Sequence, residues 1–519
     1  MKKNLISRGC MLCSLCLLMA LPLQAQTPES LYRPYEQAPK REFRGTWIHT
    51  VGNGQYKNMT PEQMRAHYRA ALDSFERAGI NVVIYQIRPQ ADAFYMNSLE
   101  PWSRFITGEQ GIAPDPVWDP FAFMIDECHA RGMELHAWLN PYRVTSNDRE
   151  QLHPSHLFFK RPELFLKYGN QLYFDPGEPD SRTHTLAVVA DVVSRYDLDG
   201  IHMDDYFYPY RIEYQEFPDE ASFLKYHAQQ GFGRYDKNDW RRDNVNILVE
   251  ALADTIKKIK PWVKFGISPF GVWRNARTDS LGSNSLAGQT NYDDLFADIR
   301  LWTEKRWIDY NAPQLYWIIG HRLANYEPLL DWWSKNNNGV QLYIGQSLGA
   351  MIPATLPDGT KENQLHKKMK MMRENRNVHG NVWWSGYGMM RNPDGIIDSL
   401  ANDYQKYPAL VPVYTHIDTL APQPVQHVAV RRSGSISRLV WQPAVTTDEM
   451  DKAVRFAVYR FLPNEPINLE DGKKIVKIVG KPEYLLPQNA KPQNYVYVVT
   501  ALDRTWNESA ASKPLRVKN

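Results

Sequence analysis

The stretch Asp199-Gly-Ile-His-Met-Asp-Asp-Tyr-Phe-Tyr-Pro209 is a short β-like run that ends in two carboxylates and three aromatic rings. A strand places alternate side chains on opposite faces, so Ile201 and Met203 share one face and Gly200, His202 and Asp204 the other. If the apolar pair faces covering helices, His202 and Asp204 point into an enclosed interior, with Asp204 at the carboxyl end of the strand. Seven more β-like runs surround this one, with amphipathic helical stretches between them. They lie at 44–50, 81–88, 134–140, 264–270, 310–317, 341–346 and 381–386, and the run quoted covers 200–206. Alternation of this kind argues for parallel strands joined by crossover helices.

Eight repeats across 41–407 predict an α/β fold, a (β/α)8 TIM barrel with enlarged loops, since that type spans roughly 200 to over 400 residues. An open doubly wound sheet is the alternative, but no Gly-rich phosphate loop follows the first run. The segment 408–420 is proline-rich without helical period and reads as a linker. From 421 to 519 short alternating runs, the clearest at 428–430, 437–441, 455–461 and 495–501, predict a small all-β sandwich. The run from Tyr495 to Ser509 resembles the closing hairpin of a fibronectin type III domain, with Trp441 as its core tryptophan.

The first 25 residues read as a secretory signal peptide. Lys2, Lys3 and Arg8 precede an apolar run from Met11 to Leu23, and Gln24-Ala25-Gln26 supplies a small residue for cleavage. That run is shorter than the roughly 20 residues a membrane span needs, and no later stretch is apolar enough. Cys10, Cys13 and Cys16 fall before or inside the run rather than after it, which disfavours a lipid anchor. These features predict an exported protein of the bacterial periplasm without a transmembrane segment. The leader's three basic residues account for the whole formal charge of +3. An electrically neutral mature chain gives no reason to expect nucleic acid. Cys128 alone survives cleavage, which rules out an intramolecular disulfide, and its apolar helical setting reads as core. Sixteen Trp and 29 Tyr are enough to cover sugar faces as well as fill a core.

The same parity on the other runs assembles a polar interior: His49; Gln86 and Arg88; His136 and Asn140; Ser268; Gln314 and Tyr316; Trp383 and Ser385. Barrel interiors are normally filled by branched apolar side chains, so this many polar groups suggests a polyhydroxylated ligand. Tyr142, Arg143, Tyr206, Trp273, Trp317 and Trp384 add aromatic planes and guanidinium near the strand ends, suited to stacking on sugars. His49, His136, His202 and Asp204 show no metal-ligand spacing such as HExxH, so neither a metal nor another cofactor is expected. The loop carboxylates Asp92, Glu109, Asp175, Glu213 and Glu216 read as solvated.

Glycosidic cleavage uses one carboxylic acid to protonate the leaving oxygen and one carboxylate to attack or to activate water. Asp204 is the candidate nucleophile or charge stabiliser and Asp205 the candidate acid, although strict alternation turns Asp205 away from Asp204. None of strands five to eight ends in Asp or Glu. A partner other than Asp205 must come from a loop, or the substrate's own acetamido group acts as nucleophile.

The motifs Arg41-Glu-Phe-Arg-Gly-Thr-Trp-Ile, Asn81-Val-Val-Ile-Tyr-Gln-Ile-Arg-Pro-Gln-Ala-Asp-Ala, Glu134-Leu-His-Ala-Trp-Leu-Asn-Pro-Tyr-Arg, Tyr173-Phe-Asp-Pro-Gly and the quoted strand fall in order. Together they resemble the glycosyl hydrolase-like 10 family over about residues 41 to 350. The resemblance implies a (β/α)8 barrel and, in bacterial envelope members, hydrolysis of peptidoglycan glycan strands, particularly those stripped of peptides. It supplies no catalytic pair, so Asp204 and Asp205 rest on strand parity. Two other readings fit the same residues: a glycan-binding envelope scaffold without turnover, and a glycosidase acting on a dietary or host polysaccharide.

Overall fold

The computed structural model describes residues 31–96, 99–488 and 493–518. The signal peptide read at the start of the chain lies outside these residues. Eight parallel strands close into a barrel: β1 (Phe43–Ile48), β2 (Val82–Arg88), β3 (Glu134–Leu139), β4 (Gly200–Met203), β5 (Lys264–Ile267), β6 (Tyr310–Asn311), β7 (Gln341–Ser347) and β8 (Gly380–Trp384). Each strand pairs in parallel with its sequence neighbours, and β1 closes on β8 with Phe43 opposite Gly380. Crossover helices include α1 (Pro61–Arg77), α2 (Pro120–Ala130), α3 (Pro179–Arg195) and α4 (Lys237–Ile259). Helix α1 starts at a capping box, in which Thr60 accepts from the Gln63 amide and the Gln63 side chain returns to the Thr60 amide. Ile201 and Met203 face the helices as parity predicts, with Val83, Tyr85, Leu135, Ala137 and Phe265 in the same outer core. Among the described residues no helix is long and apolar enough to cross a membrane.

Inside the barrel the lower layer is aromatic: the Phe43 and Tyr343 rings stack with centroids 3.8 Å apart, and Tyr310 lies beside them. Gly266 makes room for this, because a Cβ there would stand 1.9 Å from the Tyr310 ring.

The polar residues of the interior form a hydrogen-bonded column along the barrel axis. The Trp47 indole, which can only donate, reaches His202 Nε2 at 3.1 Å, so the neutral ring carries its hydrogen on Nδ1. That hydrogen points to the Tyr310 hydroxyl at 2.9 Å, Tyr310 donates to His136 Nδ1 at 2.8 Å, and His136 Nε2 donates to Glu134 at 2.9 Å. Burial, then the neighbouring His136, holds His202 well below the ordinary imidazole range. His136 and His202 were expected to touch a ligand; instead each is satisfied within this column.

Two further expectations are corrected by local geometry. A register shift in β2 between Gln86 and Arg88 turns Arg88 out of the interior, where its guanidinium grips Glu100 at 2.6 and 2.8 Å. In β8, Val382 and Trp384 face inward, while Trp383 packs in the outer core under the helices.

The proline-rich segment is not a free strap. Leu410, Val411 and Tyr414 are buried against Phe43, Tyr343 and Val382 at the barrel's amino-terminal end, and the Tyr414 and Tyr343 hydroxyls meet at 2.6 Å. Beyond it, two antiparallel sheets face each other. One contains β9 (Gln426–Ser433), β10 (Ile436–Gln442) and β13 (Glu483–Leu485). The other contains β11 (Arg455–Phe461), β12 (Ile475–Val479), β14 (Asn494–Leu502) and β15 (Leu515–Lys518). Trp441 sits in their shared core, edge-on to Phe456 at 5.4 Å. The loop after β14 carries Trp506 into the foot of the barrel, and Arg455 binds the buried Asp199 at 2.7 Å.

Candidate active site

Strand β4 ends at Met203, and the next two residues project into a pocket at the carboxyl end of the barrel with a volume of about 440 Å³. Asp204 leans toward β3. Its Oδ2 accepts from Trp138 Nε1 at 3.1 Å, and Asn140 Nδ2 lies 3.0 and 3.2 Å from its two oxygens. Burial raises the Asp204 carboxyl above its ordinary value, and Arg143, Asn140 and Trp138 pull it back. Asp205 leans the other way, accepting a hydrogen bond from the Tyr210 hydroxyl. Burial pushes its carboxyl up to about 7, the charge of Asp204 adds to the rise, and hydrogen bonds from Tyr210 and Gln314 oppose it. The two carboxyls are therefore held differently: Asp204 is fastened by donors, and Asp205 holds its proton up to about pH 7.

Of the residues singled out in the sequence, His49, Arg143, Asp204, Asp205, Tyr206, Ser268, Gln314, Tyr316 and Trp384 line this pocket. Arg143 stands with its guanidinium 5.0 Å from the Tyr206 ring centroid. Gln314 donates to Ser268, bracing the wall beside Asp205.

Other residues hold the site from behind. Asn140 anchors Asp204 and accepts from the Arg143 amide at 2.8 Å, which sets the start of that loop. The Gln86 side-chain oxygen Oε1 accepts from the Thr50 and Val51 amides, both at 2.9 Å, and so fixes the loop after β1. Tyr142 is buried in the outer core. Trp273 stacks on Trp332 with centroids 5.7 Å apart, and Trp317 stands edge-on to Phe270; neither lines the pocket. Asp92 and Asp175, read as solvated, are buried, and burial pushes each up to about 6.

Four lining residues were missed: Trp47, Val51, Trp138 and Tyr210. Trp47 shares the parity of His49, and Trp138 lies between His136 and Asn140 on the same face, so alternation contained both, although neither stands out as a polar group in a barrel interior. Among the described residues no group of three or more His, Cys, Asp or Glu is arranged to hold a metal ion.

Residues 42–357 match the model of the family described as glycosyl hydrolase-like 10. The chain is 42% identical over 489 residues to "Glycosyl hydrolase YngK" of Bacillus subtilis, covering 91% of this chain and 93% of that protein. It is 35% identical over 374 residues to "Glycosyl hydrolase DigH" of Escherichia coli K12, covering 66% of this chain and 83% of the relative. Among solved structures, the glycoside hydrolase domain of PgaB (BpsB) from Bordetella bronchiseptica aligns with a TM-score of 0.46 at 10% identity, over 70% of this chain and 98% of that one.

Proposed function

The chain belongs to the glycosyl hydrolase-like 10 family and is a glycoside hydrolase, and from that premise we propose that it is exported and cleaves peptide-poor glycan strands of peptidoglycan through Asp204 and Asp205. The observation that carries the catalytic assignment is the placement of two consecutive carboxylates at the end of β4, inside one aromatic-walled pocket. In barrel enzymes the chemistry sits at that end of the strands. Asp205, whose carboxyl is pushed up to about 7, is suited to give its proton to the leaving glycosidic oxygen. Asp204, held by Trp138 and Asn140, is suited as a carboxylate to stabilise the positive charge that develops at the anomeric carbon.

The glycan assignment draws on the order of sequence motifs and on the pocket walls. Trp47, Trp384, Tyr316 and Tyr206 offer ring surface to sugar faces, while Arg143, Gln314 and His49 offer hydrogen bonds to substituents. The leader pattern at residues 1–25 supports export to the periplasm. In this reading residues 41–407 form the catalytic domain, 408–420 the linker, and 421–519 a fibronectin type III-like domain that braces the barrel from below.

Incubating the mature protein and Asp204→Asn with peptide-free and with intact peptidoglycan, and resolving the released sugars by mass spectrometry, tests the proposal. Oligosaccharides released from peptide-free strands by the wild type alone are expected. Cleavage of another polysaccharide with peptidoglycan untouched overturns the substrate, and a fully active Asp204→Asn overturns the site.

A further inference from the structure

We propose that the nucleophile is supplied by the substrate: the carbonyl oxygen of a 2-acetamido group attacks the anomeric carbon, with Asp204 positioning that group and Asp205 acting as acid and then base. This rests on the reading of Asp204 and Asp205 as the catalytic pair, and it specifies that the sugar cleaved carries an N-acetyl substituent at C2.

Three observations lead to it. First, an enzyme-borne nucleophile or base needs a carboxylate across the sugar ring from the acid. The carboxylates lining the pocket are Asp204 and Asp205, neighbours on one strand end, and the facing wall is built from Trp47, Tyr316 and Trp384. Second, Asp204 is fastened rather than free. Trp138 and Asn140 bind its oxygens at 3.0–3.2 Å, and the Tyr206 amide approaches Oδ1 at 3.4 Å. A carboxylate held in this way is suited to accept one more hydrogen bond from a fixed direction, such as an amide N–H, and poorly suited to leave its donors and attack carbon.

Third, that facing wall is ring surface, against which an acetamido methyl can pack. The ring centroids of Trp47, Tyr316 and Trp384 form a nearly equilateral triangle with sides of 6.5, 6.5 and 6.3 Å, and the Tyr316 and Trp384 planes lie within 22° of parallel. A hydroxyl pressed against these rings would lose hydrogen bonds to water, whereas the acetamido methyl would exchange water for ring contact.

The steps balance. As the bond from C1 to the leaving oxygen breaks, that oxygen takes the Asp205 proton and the acetamido carbonyl oxygen bonds to C1, giving an oxazolinium ion whose N–H is held by the Asp204 carboxylate. Water then attacks C1, giving its proton to Asp205, and the bond from C1 to the acetamido oxygen breaks with its electron pair returning to the amide. Two inversions at C1 leave its configuration retained.

The test uses the full mature chain and an aryl oligoglycoside whose cleaved sugar carries N-acetyl, N-fluoroacetyl, N-difluoroacetyl or N-trifluoroacetyl. Fluorine withdraws electrons from the attacking carbonyl oxygen, so kcat/KM is expected to fall at least about a hundredfold across the series. Proton NMR is expected to show a first-formed product of retained configuration. Calorimetry is expected to show binding of a 2-methylthiazoline analogue of the bicyclic intermediate, and that binding is read without turnover.

A flat fluorine series, an inverted product, an Asp204 ester trapped by a 2-fluoro sugar, or no thiazoline binding each overturns the proposal. Cleavage of peptide-free strands without thiazoline binding would leave the peptidoglycan reading standing and remove only this mechanism. Thiazoline binding and a steep series with peptidoglycan uncut would do the reverse.

Discussion

Trp506 Nε1 donates to Glu134 Oε1 at 2.6 Å, joining the C-terminal sandwich to the foot of the third barrel strand across 372 residues of sequence. Lys264 binds the same oxygen at 2.5 Å, and the other oxygen of Glu134 accepts from His136. The column therefore runs unbroken from the sandwich, through His136, Tyr310 and His202, to Trp47 on the wall of the pocket. Burial would raise the Glu134 carboxyl, but Lys264 and the hydrogen bond from His136 hold it down at about 2. The C-terminal domain is thus part of the barrel's floor and supplies one of the donors that make a charged carboxylate tolerable there.

Trp506→Ala removes a fully buried indole and that donor together. Large-to-small changes of this kind cost about 3–5 kcal/mol. Equilibrium denaturation is expected to show that loss, with the barrel and sandwich signals moving together. An unchanged midpoint would mean that the sandwich merely rests against the barrel.

Arg88 and Glu100 make a bidentate pair in which both side chains are almost wholly buried. Arg88, with hydrogen-bond support from His184, holds the Glu100 carboxyl far below its ordinary range. Arg88→Met strands a buried carboxylate and is expected to cost about 3–5 kcal/mol, much of it recovered in the Arg88→Met, Glu100→Leu double variant. KM for glycan should be unchanged in the double variant, because the pair faces away from the pocket. A large rise in KM at normal stability would return Arg88 to the binding site.

All eight barrel strands were legible in the sequence, because each pairs a β-like run with a crossover helix and the inner and outer faces of most strands alternate cleanly. The errors fall where local chemistry is silent about phase. Nothing in the Gln-Ile-Arg sequence of 86–88 announces the register shift that turns Arg88 outward. Two adjacent tryptophans in β8 present the same hydrophobicity in either phase, so the inward one could not be told from the outward one. His136 and His202 were correctly turned inward but were read as ligand contacts, because the groups that join them into a column, Tyr310 and Trp47, lie on other strands. Tyr210 was invisible as a site residue for a related reason: its hydroxyl meets Asp205 only after the loop beyond β4 folds back.

Asn140 is expected to act on turnover more than on binding. Its amide nitrogen fastens Asp204, while its carbonyl oxygen holds the Tyr142 and Arg143 amides. Asn140→Ala frees Asp204 to rotate and leaves the pocket's ring surfaces in place. On peptide-free glycan we expect kcat to fall at least about tenfold, with KM changed much less. An equal fall in affinity, read by a direct binding measurement, would instead make Asn140 a contact to the sugar.

The pH dependence follows from Asp205. A general acid must hold its proton, and the Asp205 carboxyl titrates at about 7, so kcat/KM is expected to fall as pH rises through that value. The neighbouring groups fix the direction in which variants move this limb. Tyr210 favours the ionised form by donating to it, so Tyr210→Phe should shift the alkaline limb to higher pH. Asp204 disfavours ionisation by its charge, so the residual activity of Asp204→Asn should show a limb at lower pH. Stability carries the same sign: a carboxyl raised in the folded state contributes stability that is fully present below its unfolded pKa and is lost as pH rises through about 7. Asp205→Asn, which has no charge to bury, should therefore gain stability relative to the wild type above pH 7, and the difference should vanish toward pH 4. An alkaline limb that stays fixed in both Tyr210→Phe and Asp204→Asn would assign the titrating acid to another group.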